Sequence, residues 1–288
     1  MICSARVSGI GSWCPAGGHH SLHYVVTFAT VSYNVLAQSF VRRDRYPLSE
    51  PEALDATRRH ALLLQRLEGL DADLLCLQEL EPATNDAVRA RLQASHHAAY
   101  APRADRPDGL AILARRARFD WLGHDVLRFA PDGTVDGGPA LIAHLSIDET
   151  PIHVVCAHLP WEPESTPSAQ HRGHRQMLEL IAHRDATAPR DTWIFAGDFN
   201  AVSTGIVLAA ALDNDMAESC REQRPWDTCA INGRPRKIDY LLYSTGRLNP
   251  KPGLLPRLSR DSVLPSLTEP SDHLPLHVDF ELTSEVTA

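Results

Sequence analysis

The chain has 288 residues, of which 43% are hydrophobic and 22% charged, which excludes a disordered or fibrous protein and allows a sizeable core. Its 36 acidic residues outweigh 28 basic ones, for a net charge of −8, and this excludes a protein that coats nucleic acid through a broad basic face. Lysine stands only at Lys237 and Lys251, so arginine carries nearly all the positive charge. No apolar run reaches the roughly 18 residues of a membrane helix. No basic stretch leads into an apolar one at the N-terminus, so neither a membrane partner nor a signal peptide is expected. Six cysteines in a chain this long make no disulfide framework. Cys76 and Cys156 stand in apolar runs as small hydrophobes, and a reducing, cytoplasmic compartment fits.

Residues 1–23, rich in Gly, Ser, Cys and His, are expected to be a loosely ordered extension; Cys3, Cys14, His19, His20 and His23 match no zinc spacing. Residues 24–288 read as one domain with no linker, repeat or low-complexity tract. The first strand is expected over 24–33, β-branched and aromatic, ending at Asn34. A helix follows at about 50–69, with Ser49 as N-cap, Pro51 in its first turn and Gly69 at its end. Asp-Leu-Leu-Cys-Leu-Gln-Glu (73–79) is a continuous apolar run of the buried-strand kind and delivers Glu79 at its end. A second helix over 83–95 precedes strands at 97–101, 109–114, 118–129, 139–147 and 151–158, the last ending on His158. Pro160, Pro163 and Pro167 hold off the next helix until about Ala169, and it runs to about 185. Thr-Trp-Ile-Phe-Ala (192–196) is a strand leading into Gly197-Asp198-Phe199-Asn200. Short strands near 237–243 and 275–282 flank a Pro-rich stretch from Pro250 to Pro270, expected to be a long loop anchored by its leucines.

Polar residues suited to metal or phosphate chemistry thus recur at the ends of separate strands: Asn34, Glu79, His158, Asp198 with Asn200, Asp239, and Asp272 with His273. Singly, each reads as a turn, a cap, a solvated strand end or a satisfied core histidine. Together at one sheet edge they make a rigid site, and carboxylates and carboxamides without cysteine select a hard, oxygen-loving cation.

Six segments carry a resemblance. Ser-Tyr-Asn-Val-Leu-Ala-Gln (32–38), Cys-Leu-Gln-Glu (76–79), Ala-His-Leu (157–159), Gly-Asp-Phe-Asn (197–200), Ile-Asp-Tyr (238–240) and Ser-Asp-His-Leu-Pro-Leu (271–276) occur in the order found in the endonuclease/exonuclease/phosphatase superfamily. Asp108-Gly109-Leu110-Ala111, His158-Leu-Pro-Trp-Glu-Pro-Glu164 and the run from Leu264 to His273 resemble its deadenylase, nocturnin-like branch. Leu36 stands where apurinic endonucleases carry an acidic residue, and Pro102-Arg103 replaces the branch's Pro-Lys.

The resemblance implies a four-layer α/β/β/α sandwich of two mixed β-sheets flanked by helices, forming one catalytic domain. It implies Mg²⁺, replaceable by Mn²⁺, held by Glu79, Asn34 and Asp272, and in-line attack of water on phosphorus. Asp198 and Asn200 would orient water and phosphate, Asp239 would orient His273 as base or phosphate-binding cation, and His158 would donate to developing charge. Which residue takes the water proton stays open. Arg103, with Asn200 and His158, would bind substrate, and Arg106, Arg115 and Arg116 flank the same cleft-bordering segment. The implied activity is hydrolysis of phosphoester bonds, foremost at single-stranded RNA 3′ ends, by a monomer. The alternatives are a phosphatase of a small nucleotide, on the NADP 2′-phosphate or a 2′,3′-cyclic phosphate end, and a catalytically inactive binding module on the same fold.

Overall fold

Alternating side chains on the central strands build two sheets, each with two buried faces. In β2 (Leu74–Leu80), Leu74 and Cys76 join the core between the sheets, while Leu75 and Leu77 pack outward with Leu63, Leu64 and Leu67 of α1 (Ala56–Gly69) and Val88 of α2 (Pro82–Leu92). In β7 (Thr150–His158) and β8 (Thr192–Asp198), Ile152, Val154, Cys156, Ile194 and Ala196 face inward. Val155, Ala157, Trp193 and Phe195 face outward, against α3 (Arg172–Thr187) and α4 (Ile206–Leu212). The result is the expected α/β/β/α sandwich. The computed structural model describes residues 21–104, 106–131, 138–221, 227–231 and 233–287, with backbone alone at 21–24 and 284–287. Cys3, Cys14, His19, His20 and the side chain of His23 lie outside the described residues, as does most of the 1–23 segment.

The remaining strands are β1 (Ser21–Asn34), β3 (His96–Pro102), β4 (Gly109–Arg115), β5 (Asp120–Arg128), β6 (Pro139–Ile147), β9 (Met216–Glu218), β10 (Cys229–Ile231), β11 (Arg234–Arg236), β12 (Asp239–Ser244), β13 (Leu248–Pro252) and β14 (Leu276–Thr287). One sheet runs β13-β14-β1-β2-β4-β3 and the other β5-β6-β7-β8-β12-β9; β10 and β11 form a separate ribbon. Each six-stranded sheet has one parallel pair, β1 with β2 and β7 with β8. A helix bridges each pair, α1 in the first case and α3 in the second, as parallel neighbours require a crossover. The two pairs end side by side, since Asn34 at the end of β1 donates through Nδ2 to Asp198 Oδ2 at the end of β8, 3.1 Å away.

Several boundaries differ from the sequence expectation. Helix α1 starts at Ala56, not near 50, because Pro51–Leu54 forms a separate 3₁₀ turn. Asp55 rather than Ser49 is the cap, accepting from Arg58 N at 2.9 Å. Helix α3 starts three residues late because Gln170 N and His171 N close a turn on Pro167 O; His171 Nδ1 then accepts from His174 N. The Pro-rich stretch holds β13, a sheet-edge strand, where Pro250 and Pro252 withhold no ladder hydrogen bond that the sheet needs. Helix α4 was not expected; its seven residues are too few to show a helical period. Cys76, Cys156, Cys220 and Cys229 are buried free thiols, and no described helix is long and apolar enough to cross a membrane.

Candidate active site

The strand ends bring the polar residues together because local backbone devices aim them. The β2–β4 register shifts between Leu77 and Leu80, and Glu79 within that bulge adopts φ 57°, which turns its side chain out of the sheet. Glu79 Oε2 accepts from Ala37 N at 3.2 Å, just after Leu36, itself at φ 57°. Asn200 also sits in the left-handed region, at φ 49°, with its N–H donating to Asp198 Oδ1 at 2.9 Å. Three such residues in one site are a store of local strain held by their neighbours. Gly197 is required by close approach: a Cβ there would lie 1.9 Å from Ala157 O on the neighbouring strand.

Asp239 at the start of β12 lies directly opposite Asp198 in antiparallel register. Both of its carboxylate oxygens meet His273 Nδ1, at 2.9 and 3.1 Å, so Nδ1 carries the proton and Nε2 points toward Asp198 Oδ2 (3.8 Å) and Asp272 Oδ1 (3.9 Å). The segment before β14 is tied in by Ser271, whose Oγ donates to Asn34 O at 2.7 Å and accepts from His273 N at 3.1 Å. Tyr46 OH donates to Asp272 Oδ2 at 3.0 Å. Asn200 Nδ2 donates to Leu159 O at 3.0 Å and faces His158 Nε2 at 3.1 Å. Leu159 O therefore orients the amide; His158 Nε2 also lies 3.5 Å from Asp198 Oδ2, and its buried Nδ1 has no hydrogen-bond partner among the described residues.

The electrostatics follow from burying many charges of one sign. Burial and the neighbouring Asp239 push the Asp198 carboxyl up to about 7, against the opposing pull of His273. Burial and Asp272 likewise raise Glu79. Burial alone would lower His273, but Asp239, Asp272 and Asp198 overcome it and hold the imidazole well above its ordinary value. His158 goes the other way, kept neutral by burial and by Arg103 and His273. Buried carboxylates that bind protons this readily are a donor set a divalent cation would relieve, and the available atoms are oxygens and one imidazole. Asp198, Asp239 and His273 offer ligand atoms within 4.8 Å of one another. Asp239 is committed through both oxygens to His273, and Asp198 accepts through both from Asn200 N and Asn34 Nδ2, so the carboxylates with freer oxygens are Glu79 and Asp272.

All eight strand-end residues meet here, and Glu79, His158, Asp198, Asn200, Asp272 and His273 line a cleft of about 450 Å³. Arg103 and Arg106 line it too, sharing the buried Asp108 at 3.3 and 3.4 Å, and Arg103 also reaches His158 O. Arg115 and Arg116 do not. Arg115 turns to Asp71 and Asp73, and Arg116 to Gln93 O and His97, at the end of β4 opposite Asp108 and Gly109. Tyr46, Ser271 and Arg59 escaped the sequence reading. Arg59 on α1 is buried and donates to Pro270 O (2.8 Å), Leu36 O (2.8 Å), Val35 O (3.3 Å) and Gln38 Oε1. Its signal was its place on the apolar stripe with Leu63 and Leu67, four and eight residues on.

Residues 31–273 match the Endonuclease/Exonuclease/phosphatase family. The chain belongs to that family. Among curated relatives it is 26% identical to mouse 2′,5′-phosphodiesterase 12 (88% of this chain, 51% of the relative). It is 28% identical to Xenopus laevis nocturnin, over 90% of this chain and 74% of the relative. The chain spans about half the length of the 2′,5′-phosphodiesterase 12 proteins it matches. Two solved structures share the fold. ANGEL2, described as a 2′,3′-cyclic phosphatase, superposes with a TM-score of 0.76 at 21% identity, covering 93% of this chain and 99% of that one. The human nocturnin catalytic domain superposes with a TM-score of 0.67 at 23% identity, covering 92% and 97%.

Proposed function

We propose that the protein is a Mg²⁺-dependent phosphoesterase that cleaves phosphodiester bonds at single-stranded RNA 3′ ends. The observation that carries this reading is the convergence, in one cleft, of oxygen donors for a hard cation with a carboxylate-held imidazole. Relatives named 2′,5′-phosphodiesterase 12 support the phosphodiester as the bond broken. Glu79, Asn34 and Asp272 would hold Mg²⁺, with Mn²⁺ able to substitute. When bound, the cation withdraws electron density from a non-bridging phosphate oxygen.

The rest of the chemistry belongs to the chain. Asp239 fixes the His273 tautomer, so Nε2–H of the imidazolium faces the phosphate. Asp198, titrating near neutrality, orients the attacking water and accepts its proton. Asn200 and Asp198 flank the His158 ring at the cleft, where it would donate to the charge that develops on phosphorus. Arg103 and Arg106, two cations on one carboxylate, leave a net positive charge beside the reacting phosphate. A single catalytic domain over 24–288, a monomeric state and a cytoplasmic location complete the reading.

Product analysis tests it, with Mg²⁺ or Mn²⁺, on oligo(A), mixed RNA, single-stranded DNA, NADP and RNA ending in a 2′,3′-cyclic phosphate. Mononucleotides released from RNA 3′ ends by wild type and not by Glu79→Gln are expected. Turnover of NADP or the cyclic end alone replaces the RNA reading with a small-nucleotide phosphatase. No turnover with either metal overturns the phosphoesterase reading.

A further inference from the structure

The cleft is longer than its group of reacting residues. Past His158 it runs along the first turns of α3, where Trp161, Arg172 and Arg175 line the wall. Trp161 is 59% exposed, whereas Trp193 is fully buried and Trp121 packs against the inter-sheet core. It stands three residues after His158 between Pro160 and Pro163, whose fixed φ angles and constraints on the preceding residues hold this segment extended. Among the described residues its indole makes no ring contact, so a π-face is left open on the wall of a polar cleft.

Arg175 lies one turn into α3, and its Nε is buried without a hydrogen-bond partner. Its neighbours are differently placed. Glu162 takes Arg172 Nε at 2.6 Å and Arg172 N at 2.7 Å. Glu179, one turn beyond, accepts from Ala130 N at 3.0 Å. Arg175 is thus a cation on the cleft wall with no ion pair among the described residues. The half-buried Arg175 guanidinium has no acceptor among the described residues, and a ligand oxygen in the cleft would supply one to its accessible nitrogens. The pairing of an open aromatic face with an unpaired guanidinium suits a nucleotide, because every base has a π-face and every linkage carries a phosphate.

We propose that Trp161 and Arg175 form a second nucleotide subsite, Trp161 stacking on a base and Arg175 contacting a phosphate one nucleotide removed from the reacting linkage. The inference rests on the phosphoesterase reading and sharpens it: the preferred ligand is an oligonucleotide with at least two phosphates. ApA, with one phosphate, should ignore the subsite, and ApApApA should use it.

The test compares both substrates in wild type, Trp161→Ala and Arg175→Met, with circular dichroism confirming the fold. For ApApApA, KM should rise roughly 10-fold or more in Arg175→Met, as for loss of one charge-assisted hydrogen bond, and roughly 5- to 100-fold in Trp161→Ala, as for loss of one stacked base. Both variants should keep wild-type kinetics on ApA. Fluorescence anisotropy of labelled oligo(A) in EDTA gives a readout without turnover, with binding weakened in both variants. Wild-type KM for ApApApA in both variants, or undiminished binding in EDTA, overturns the subsite while leaving the proposed function standing. Wild-type protein that hydrolyses neither substrate overturns the proposed function, and the binding arm still decides the subsite.

Discussion

Replacing Arg59 with methionine would test whether one buried guanidinium holds together the loop after Asn34 and the loop that carries Asp272. Arg59 is only 4% exposed, and it links the segment after Asn34 to Pro270, two residues before Asp272. A hydrogen bond from a charged donor contributes about 1.5–3 kcal/mol. Counting only the two contacts at 2.8 Å gives a loss of about 3–6 kcal/mol, and the range for breaking buried charge networks narrows this to about 3–5 kcal/mol. Methionine keeps the aliphatic packing of the stem but leaves Leu36 O and Pro270 O without their donor. Urea unfolding reads the stability. Activity in the folded population should fall as well, because Ala37 N supports Glu79 from the same loop. Arg59→Lys should sit between, keeping the charge without the fork that spans the acceptors. An Arg59→Met protein within about 1 kcal/mol of wild type, with hydrolysis within twofold, would refute the clamp.

Glu79→Gln should keep the fold, with thermal unfolding of the metal-free protein no lower than wild type, while shifting the Mg²⁺ titration to higher concentration and nearly abolishing hydrolysis; unchanged activity at ordinary Mg²⁺ would remove Glu79 as principal ligand. Asp239→Asn should lower kcat about 10- to 100-fold with little change in KM, since it removes a charge-assisted bond that fixes His273, and a pure KM effect contradicts that role. Arg103→Ala should cost about 1.5–3 kcal/mol in kcat/KM on RNA, with salt dependence made shallower, and wild-type values would place no phosphate at Arg103. His153, facing Asp191, His144 and His183, has its imidazole held below the ordinary 6.5, by burial first and by the two histidines after it. The unfolded chain then binds the proton more tightly, so this contribution to stability is present above pH 6.5 and lost as the pH falls below it. Urea midpoints measured across that range should fall with acid in wild type and less steeply in His153→Asn.

The strand ends were legible because each is a short apolar run leading into polar residues: His158 and Asp198 end β7 and β8, and Glu79 follows Gln78 in the bulge just before β2 ends at Leu80. The inter-sheet core was legible for the same reason, from runs such as Leu74 to Leu77. What could not be read was partnership across long separations. Arg115 and Arg116 sit close in sequence to a cleft-lining segment, yet their acceptors at Asp71, Asp73 and Gln93 lie at the other end of β4. Tyr46 and Asp272 are 226 residues apart, and no local pattern marks a tyrosine as the support of that carboxylate. Asp55, not Ser49, is the cap because Pro51–Leu54 forms a turn of its own ahead of the helix. A seven-residue helix such as α4 is decided by the surface it covers, not by its own period.

The hydrogen bond from Asn34 to Asp198 crosses from one sheet to the other, and so does the division of labour around it. Asn34 and Glu79 come from the sheet of β1 and β2, while His158, Asp198 and Asp239 come from the sheet of β7, β8 and β12. Neither half holds both the proposed cation donors, Asn34 and Glu79, and Asp239, the carboxylate of the imidazole, so the proposed catalysis would belong to the docked pair alone. A refolding chain that has formed both sheets without pressing them together would carry native circular dichroism and no hydrolysis. Recovery of hydrolysis in a refolding chain would therefore report the docking of the two sheets.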